Sequence, residues 1–407
     1  MNVASLAVTL LISFVVSVES NNTLIFTQIL FRHGARAPSL GLTNDSYSER
    51  FHRGLGELTD RGFENSYKLG KLLRKRYVDT GFLDKDLLPK EMYWRSVNKR
   101  RCLSTAATVG ASMFEAPGKY LQVPVFTDEN GENLLSYDQA DCPREEQLVK
   151  QMCPHFNGIY EPWPKYEEFI ANCLNYTHPA FKNYPFHTIE AHMNEYKNGI
   201  PLPPLLEKNI DEIMEIYVNV TQFITGTGNH HNKKVMKMKF GYLMDTLLGN
   251  LGELTPINGT KPPKTKFKAY STQDWILMGV LDSFGVLEKS VGLKKYPEYN
   301  SMIIMELWKT ETGEGVVKMF YKAEEENHKL IDLTGSVRNC EGFTDGCPVD
   351  NFLGCCSDYI YPVPAEMCKL GADEAVATTT PLPILPNALF GDIGSIKKRK
   401  RRFAGPE

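Results

Sequence analysis

A histidine between two arginines is the group of residues in this chain best suited to chemistry. Residues 31–38 read Phe-Arg-His-Gly-Ala-Arg-Ala-Pro, so Arg32, His33 and Arg36 follow directly on an apolar run. An imidazole can attack phosphorus without prior activation, and guanidinium groups offer forked donors that match phosphate oxygens. The pattern predicts a nucleophile in an anion-binding site, with a basic surface turn as the alternative interpretation.

The elements that would position these residues alternate between strand and helix. The run 24–31 is short, apolar and partly β-branched, which predicts a buried strand ending at Arg32. The further predicted elements are an amphipathic helix at 58–77, a strand at 93–96, a small-residue helix at 102–114, a strand at 267–271, an apolar helix at 275–284, and a hairpin of strands 301–307 and 316–321. This order predicts an α/β fold whose ligands bind at the carboxyl edge of the sheet.

The middle of the chain has a different character, with Pro-rich segments and helical periodicity but few convincing strands. The predicted organisation is a signal peptide at 1–20, an α/β core at 21–128 and 253–375, an inserted, mostly helical cap at 129–252, and a mobile Pro/Thr-rich and basic tail at 376–407. We expect a three-layer α/β/α core around a mixed, mainly parallel sheet. The basic cluster 397–402 is interpreted as a solvated tail, with a processing site or glycan-binding patch as alternatives.

Composition indicates a compartment rather than an activity. The apolar stretch 6–18 is too short for a comfortable membrane span and is typical of a cleaved secretory signal. Nine cysteines and the sequons agree with that route, which predicts a secreted protein without a transmembrane anchor, the lysosome being the alternative destination. The sequons begin at Asn21, Asn44, Asn175, Asn219 and Asn258. A net charge of −3 argues against nucleic-acid binding by bulk electrostatics.

Several later segments complete a family pattern together with Arg-His-Gly-x-Arg-x-Pro. They are Gly-Glu-Leu-Thr-Asp-Arg-Gly at 56–62, the helix segment 69–77, Trp-Arg-Ser at 94–96, Tyr-Ser-Thr-Gln-Asp at 270–274, Ile-Ile-Met-Glu-Leu at 303–307 and Cys-Pro at 347–348. The chain resembles the histidine acid phosphatases of the histidine phosphatase superfamily, branch 2. The likeness covers most of residues 22–370 and is nearest to the secreted, prostatic and lysosomal type, including invertebrate members.

The resemblance implies a role for each matching residue. His33 would become phosphorylated, Arg32, Arg36 and Arg95 would bind the phosphate, and Asp274 would protonate the leaving group. This chain departs from the family pattern at two places. Where the family has Arg-Ser-Thr-Asp, residues 95–98 are Arg-Ser-Val-Asn, and where the family has a His-Asp pair, this chain has Gln273-Asp274. Arg95 could therefore be an ordinary strand-end arginine. Gln273 can still donate a hydrogen bond to phosphate, but it cannot be cationic.

Two functions of different class follow from Gln273. The first is an acid phosphatase that hydrolyses small-molecule or protein phosphomonoesters, with Gln273 as a neutral phosphate ligand. The second is a catalytically weak secreted relative that binds phosphorylated or anionic molecules. Because Asp274 must be protonated to act as an acid, the first predicts an acidic pH optimum. No metal and no cofactor is expected, since three arginines would supply the positive charge and the remaining histidines lack ligand spacing.

Disulfides are likewise implied by the resemblance, which pairs Cys142 with Cys368 and Cys340 with Cys347. The resemblance leaves the pairing of five cysteines undetermined: Cys102, Cys153, Cys173, Cys355 and Cys356. A bridge between Cys153 and Cys173 would close a loop of the cap. One thiol must stay unpaired or pair with another molecule. Family members often form homodimers, but the sequence identifies no self-complementary surface.

Overall fold

The strand that precedes the histidine lies inside one mixed sheet. A computed structural model describes residues 22–39, 50–127, 134–135, 142–154, 173–174, 186–255, 263–323 and 325–370. The strands in this part of the chain are β1 Thr23–Arg32, β2 Met92–Ser96, β3 Val125–Thr127, β4 Phe267–Thr272, β5 Met302–Lys309, β6 Gly315–Lys322, β7 Leu330–Asp332 and β8 Cys347–Pro348. Their order is β3-β2-β4-β1-β5-β6-β7, and β8 pairs with β6.

The half of the sheet from β3 to β1 is parallel, and the half from β5 onward runs antiparallel to β1. In the parallel half Arg32 lies level with Thr272, and Ser96 lies level with Ser271. Strands β1, β2 and β4 therefore end at one edge, and the segments that follow them meet there. The antiparallel ladder of β5 and β6 confirms the predicted hairpin.

Helices follow the strands in the described parts of the chain. Their bounds are α1 Asp60–Leu73, α2 Arg100–Met113, α3 Pro143–Met152, α4 Phe186–Lys197, α5 Pro204–Lys208, α6 Ile210–Thr225, α7 Lys233–Gly252, α8 Asp274–Ser283, α9 Leu287–Ser290, α10 Val349–Gly354 and α11 Pro364–Met367. Thr59 caps α1, because its side chain accepts the N–H of Gly62. A π-helical turn, Arg74–Val78, continues α1.

Two apolar layers cover the faces of the sheet, because successive strand side chains point to opposite sides. Ile29 and Phe31 pack with α1 and α2, whereas Phe26 and Leu30 pack with α7 and α8. This arrangement is the three-layer α/β core with a mixed sheet that the sequence predicted. Among the described residues, no helix is long and apolar enough to cross a membrane.

Helix α7 falls inside the segment 129–252 that the sequence assigned to the cap. It nevertheless lies directly on the sheet: Gln28 of β1 donates from Nε2 to the carbonyl of Leu247 at 2.8 Å, and Asn250 donates to Gln28 at 2.9 Å. The helix layer of the core therefore includes Lys233–Gly252. The predicted signal peptide at 1–20 and tail at 376–407 lie outside the described residues, as do Asn21, Asn44, Asn175 and Asn258.

Four disulfides join cysteines of the described residues. Cys142 pairs with Cys368 and Cys340 with Cys347, as the resemblance implied, and Cys153 pairs with Cys173. Adjacent Cys355 and Cys356 form the fourth, a pairing that the sequence left open. Cys102 is buried as a free thiol.

Candidate active site

His33 is the first residue after β1, and tight backbone packing fixes its position. Its N–H donates to the carbonyl of Thr272 at 3.1 Å, and the next residue, Gly34, donates to the Thr105 hydroxyl at 3.1 Å. A Cβ atom on Gly62 of α1 would lie 2.1 Å from the carbonyl oxygen of Ala35. The loop after β1 therefore rests on the first turn of α1, and only glycine permits this approach.

The imidazole of His33 is oriented by its own loop. Nδ1 lies 2.9 Å from the carbonyl oxygen of Gly34, which can only accept, so Nδ1 carries the proton and Nε2 keeps its lone pair. Burial, followed by the charges of Arg101, Arg32 and Arg36, holds the pKa of His33 well below its usual value. The ring is therefore held in its neutral form, with a free lone pair on Nε2.

Arg32 is held between a carboxylate, a carbonyl and an aromatic ring. Its Nη2 lies 2.7 Å from Oδ2 of Asp274, and its Nη1 donates to the carbonyl of Pro297 at 2.8 Å. The guanidinium carbon lies 4.1 Å from the ring centre of Tyr299. Burial of Arg32 disfavours its charge. The carboxylate of Asp274 and other nearby groups favour the charge more strongly, so the pKa of Arg32 is raised.

Arg36 reaches across to helix α4. Its Nη2 lies 2.5 Å from Oε1 of Glu190, and its Nη1 donates to the carbonyl of Ala37 at 3.0 Å. Burial opposes this charge as well, but the Glu190 carboxylate raises the pKa of Arg36. The sequence analysis did not identify Glu190, because this residue lies more than 150 positions from the motif and approaches it only in the folded chain.

The third arginine of the site is Arg101, not Arg95. Arg101 lies in the first turn of α2 and donates from Nη2 to Oε1 of Gln273 at 3.0 Å. After burial, its charge is the main cause of the lowered pKa of His33. Arg95 lies on β2, level with Tyr270, and its Nη1 donates to the Tyr93 hydroxyl at 3.4 Å. Since Arg32 is level with Thr272, Arg95 stands two residues, about 7 Å, short of that edge.

The signal that could have identified Arg101 is helix phase. Arg100 and Arg101 are adjacent at the start of α2, and the buried face of this helix comprises Cys102, Thr105, Ala106 and Val109. Arg101 is one turn before Thr105, on that face, whereas the Arg100 side chain is 84% exposed.

The three guanidinium groups share an unusual feature. The Nε atoms of Arg32, Arg36 and Arg101 are all buried and have no hydrogen-bond partner among the described residues. Buried N–H groups are nearly always paired, and a charged donor is costly to leave unpaired. Three such donors around one imidazole form a site built to accept an anion.

Gln273 and Asp274 stand together where α8 begins. Gln273 is the N-cap residue, and Asp274 is the first residue of the helix. Oδ1 of Asp274 accepts the N–H of Trp275 at 2.8 Å, which leaves Oδ2 to pair with Arg32. The carboxyl side chain is 25% exposed, so solvent or a bound molecule can reach it.

A small pocket opens beside this group. Its lining comprises Arg32, Arg36, Glu190, Met193, Asn194, Lys197, Tyr217, Asp274, Tyr296 and Tyr299. The structure thus brings together Arg32, Arg36 and Asp274 of the predicted residues and adds side chains from α4 and α6. Within the described residues, no three His, Cys, Asp or Glu side chains cluster as a metal site.

The fold and the site together define a class: α/β proteins that hold a neutral imidazole within a cluster of buried arginines. A sequence profile of the Histidine phosphatase superfamily (branch 2) matches residues 23–322. The chain belongs to this superfamily.

Similar proteins carry acid phosphatase names. The Caenorhabditis elegans protein named "Putative acid phosphatase 1" is 28% identical over 373 residues, covering 88% of this chain and 85% of the relative. The lysosomal acid phosphatase of Bos taurus is 25% identical over 87% of this chain and 82% of its own length. The prostatic acid phosphatase of Bos taurus is 26% identical, with 86% and 89% covered.

Solved structures agree on the fold. The apo form of Hafnia alvei phytase superposes with a TM-score of 0.57 at 16% identity, covering 86% of this chain and 99% of the phytase. The phytase of Klebsiella sp. ASR1 gives a TM-score of 0.58 at 14% identity, covering 90% of this chain and all of that one.

Proposed function

We propose that the protein is an acid phosphatase that hydrolyses phosphate monoesters through a phosphohistidine on His33. The observation that carries this proposal is the set of three buried guanidinium Nε–H donors around one neutral imidazole. An anion with several oxygens and an electrophilic centre is the ligand such a site suits. Membership of the superfamily and the names of the relatives support the same activity.

In the first step Arg32, Arg36 and Arg101 donate hydrogen bonds to the oxygens of the phosphoryl group. Nε2 of His33 attacks phosphorus in line, a P–N bond forms, and the ester P–O bond breaks. Asp274 gives its proton to the departing oxygen, which leaves as a neutral alcohol or phenol. The arginines stabilise charge on the transferred oxygens, so the step requires little beyond positioning.

In the second step a water molecule attacks the phosphohistidine. The P–N bond breaks, His33 regains its lone pair, and Asp274 accepts the proton that the water loses. Activity is favoured in acid, because the first step requires a protonated carboxyl and a neutral imidazole together. The lowered pKa of His33 permits that combination.

Gln273 fits the same proposal. Its Oε1 accepts from Arg101, which can only donate, so its amide N–H groups remain as neutral donors for a phosphate oxygen. Exchanging a cationic donor for a neutral one weakens the electrostatic contribution but retains the hydrogen bond.

Hydrolysis of phenyl phosphate in acid tests the proposal. We expect His33→Ala to lose activity by a factor of about 10³ or more, as expected when a nucleophile is removed. His52→Ala, which alters an exposed histidine, serves as the matched control and should keep the parent rate. Trapped enzyme should carry an acid-labile phosphate on His33. Equal rates for the parent and His33→Ala would leave only the binding function.

We also propose an oxidising compartment, extracellular or lysosomal. Four disulfides support this placement, because cytosolic thiols are kept reduced. The names of the lysosomal and prostatic relatives are consistent with it.

A further inference from the structure

The wall of the pocket beside Arg32 and Arg36 carries a carboxylate that the two chemical steps do not use. Glu190 lies on α4, its side chain is 9% exposed, and it pairs with Arg36 through Oε1. The amide of Asn194, one turn further along α4, donates to the same Oε1 at 2.7 Å. Glu190 is therefore fixed at the pocket wall and cannot swing out to solvent.

The cations of the pocket are already matched by carboxylates. Arg32 pairs with Asp274, and Arg36 pairs with Glu190. The third cation in the lining, Lys197, pairs with Glu298 and lies over the ring of Tyr296 at 4.5 Å. No cation among the described lining residues is thus left over for a second anionic group.

The rest of the lining is neutral. Burial raises the pKa of Tyr217 and of Tyr296 well above the usual value, so both hydroxyls stay protonated. Met193 adds an apolar surface. A leaving group in this pocket would meet aromatic rings, hydroxyls and a carboxylate, which suits an uncharged and partly apolar group.

We propose that Glu190 is a specificity-determining residue that restricts the site to substrates with one phosphate on an uncharged leaving group. This inference rests on the proposed function. One phosphoryl group can use the free Nε–H donors, but a second phosphate beside it would face the buried Glu190 carboxylate with no unmatched cation of the described lining to offset the repulsion. The fold is shared with phytases, yet this pocket disfavours a polyphosphorylated ring.

The experiment compares myo-inositol 1-phosphate with myo-inositol hexakisphosphate, which share one ring and differ in charge. We expect the parent protein to prefer the monophosphate in kcat/KM by about tenfold or more, the order expected for one unit charge near a second anion. Glu190→Gln should narrow that ratio by about tenfold, mainly through a gain with the hexakisphosphate. Glu190→Asp keeps the charge and should keep the ratio.

The matched control is Glu195→Gln on the same helix. Glu195 is similarly buried but bonds His192 and does not line the pocket, so its removal should leave the ratio unchanged. An unchanged ratio in an active Glu190→Gln overturns the inference alone. A parent protein that hydrolyses both inositol phosphates equally well overturns it without any variant. Failure of the parent to hydrolyse phenyl phosphate overturns the proposed function as well.

Discussion

Arg101 is the residue whose charge most strongly affects the protonation of His33, the proposed nucleophile. After burial, its charge is the largest cause that lowers the pKa of His33. Arg101→Met should raise that pKa, so a larger fraction of His33 is protonated and inactive at a given acidic pH. The acid limb of kcat/KM should therefore move to higher pH, and the maximum should fall about 10²- to 10³-fold with the lost donor.

Arg95→Met is the matched control for this prediction. Its side chain bonds Tyr93 on the same strand, so its removal should change kcat/KM less than about threefold and leave the pH profile in place. The measurement is a pH series of kcat/KM with phenyl phosphate for the parent and both variants. A larger loss in Arg95→Met than in Arg101→Met would reverse the assignment.

The loss of kcat on replacing Asp274 should grow with the basicity of the leaving group. Asp274→Asn removes the proton donor, so alkyl phosphates, whose alkoxides leave poorly, should lose about 10²- to 10⁴-fold in kcat. 4-Nitrophenyl phosphate should lose much less, because its phenolate departs without a proton. Parallel kcat measurements with both substrates test this, and equal losses would assign Asp274 to binding through Arg32 rather than to proton transfer.

The reactive residues could be predicted from sequence where they are contiguous. Arg32 is the last residue of β1, and His33 and Arg36 follow within four residues, so their proximity needs no long-range information. Glu190 and Arg101 were missed for different reasons. Glu190 reaches the site only through tertiary packing, whereas choosing among Arg95, Arg100 and Arg101 requires the phase at which α2 begins.

At the scale of elements, two glycines on α1 permit two different close approaches. A Cβ on Gly62 would meet the Ala35 carbonyl at 2.1 Å, and one on Gly70 would meet the Val109 carbonyl at 2.3 Å. Alanine at either position should destabilise the protein by about 1–3 kcal/mol, because backbone must shift. Only Gly62→Ala should also lower kcat/KM of the folded protein, since it displaces the loop that holds His33.

Thermal unfolding and phenyl phosphate kinetics on the two variants separate these effects. Gly70 lies at the packing of α1 against α2, away from the histidine loop, and thus controls for general destabilisation. A Gly70→Ala protein as catalytically impaired as Gly62→Ala would show that the loop is not the sensitive contact.

A buried carboxylate joins the turn after α1 to strand β5. Arg76 donates to Glu306 from Nε at 2.6 Å and from Nη2 at 2.9 Å, while Tyr77 donates at 2.7 Å and Trp308 at 3.1 Å. The π-helical turn after α1 brings neighbours Arg76 and Tyr77 to one carboxylate. The sequence predicted a continuous helix here, because a π-turn has no distinct hydrophobic period.

Removing Arg76 alone should lower the unfolding free energy more than neutralising both Arg76 and Glu306. Arg76→Met leaves Glu306, which is 1% exposed, as a buried charge without its counterion, so we expect a loss of about 3 kcal/mol in unfolding free energy. Adding Glu306→Gln should recover part of that loss, because Tyr77 and Trp308 keep a neutral acceptor. Chemical denaturation measures both, and strictly additive losses would contradict the coupling.

For the whole molecule, local periodicity predicted the elements but not their neighbours. The alternation of strands and helices follows from residues close in sequence, and it indicated an α/β fold. The pairing of β1 with β4 joins residues 240 apart, Thr27 with Phe267, and no local pattern encodes it. Helix α7 was placed in the cap for the same reason, since its periodicity does not say which surface it covers.

The disulfides differ greatly in how much chain they constrain. Cys142 and Cys368 are 226 residues apart, whereas Cys340 and Cys347 are separated by 7. Linking distant residues removes more freedom from the unfolded chain, so the long bridge should stabilise by about 5 kcal/mol and the short one by about 2 kcal/mol. The long bridge also ties the start of α3 to the chain after α11.

Replacing both cysteines of one bridge by alanine should therefore lower the Tm more for Cys142 with Cys368 than for Cys340 with Cys347. Neither pair lines the pocket, so phenyl phosphate kinetics below the Tm should match the parent and report on folding of the core. Treating the parent protein with reductant should lower its Tm to that of the long-bridge variant or below it. A short-bridge variant that unfolds first would mean that native-state contacts at Cys340 and Cys347, rather than chain entropy, dominate the stabilisation.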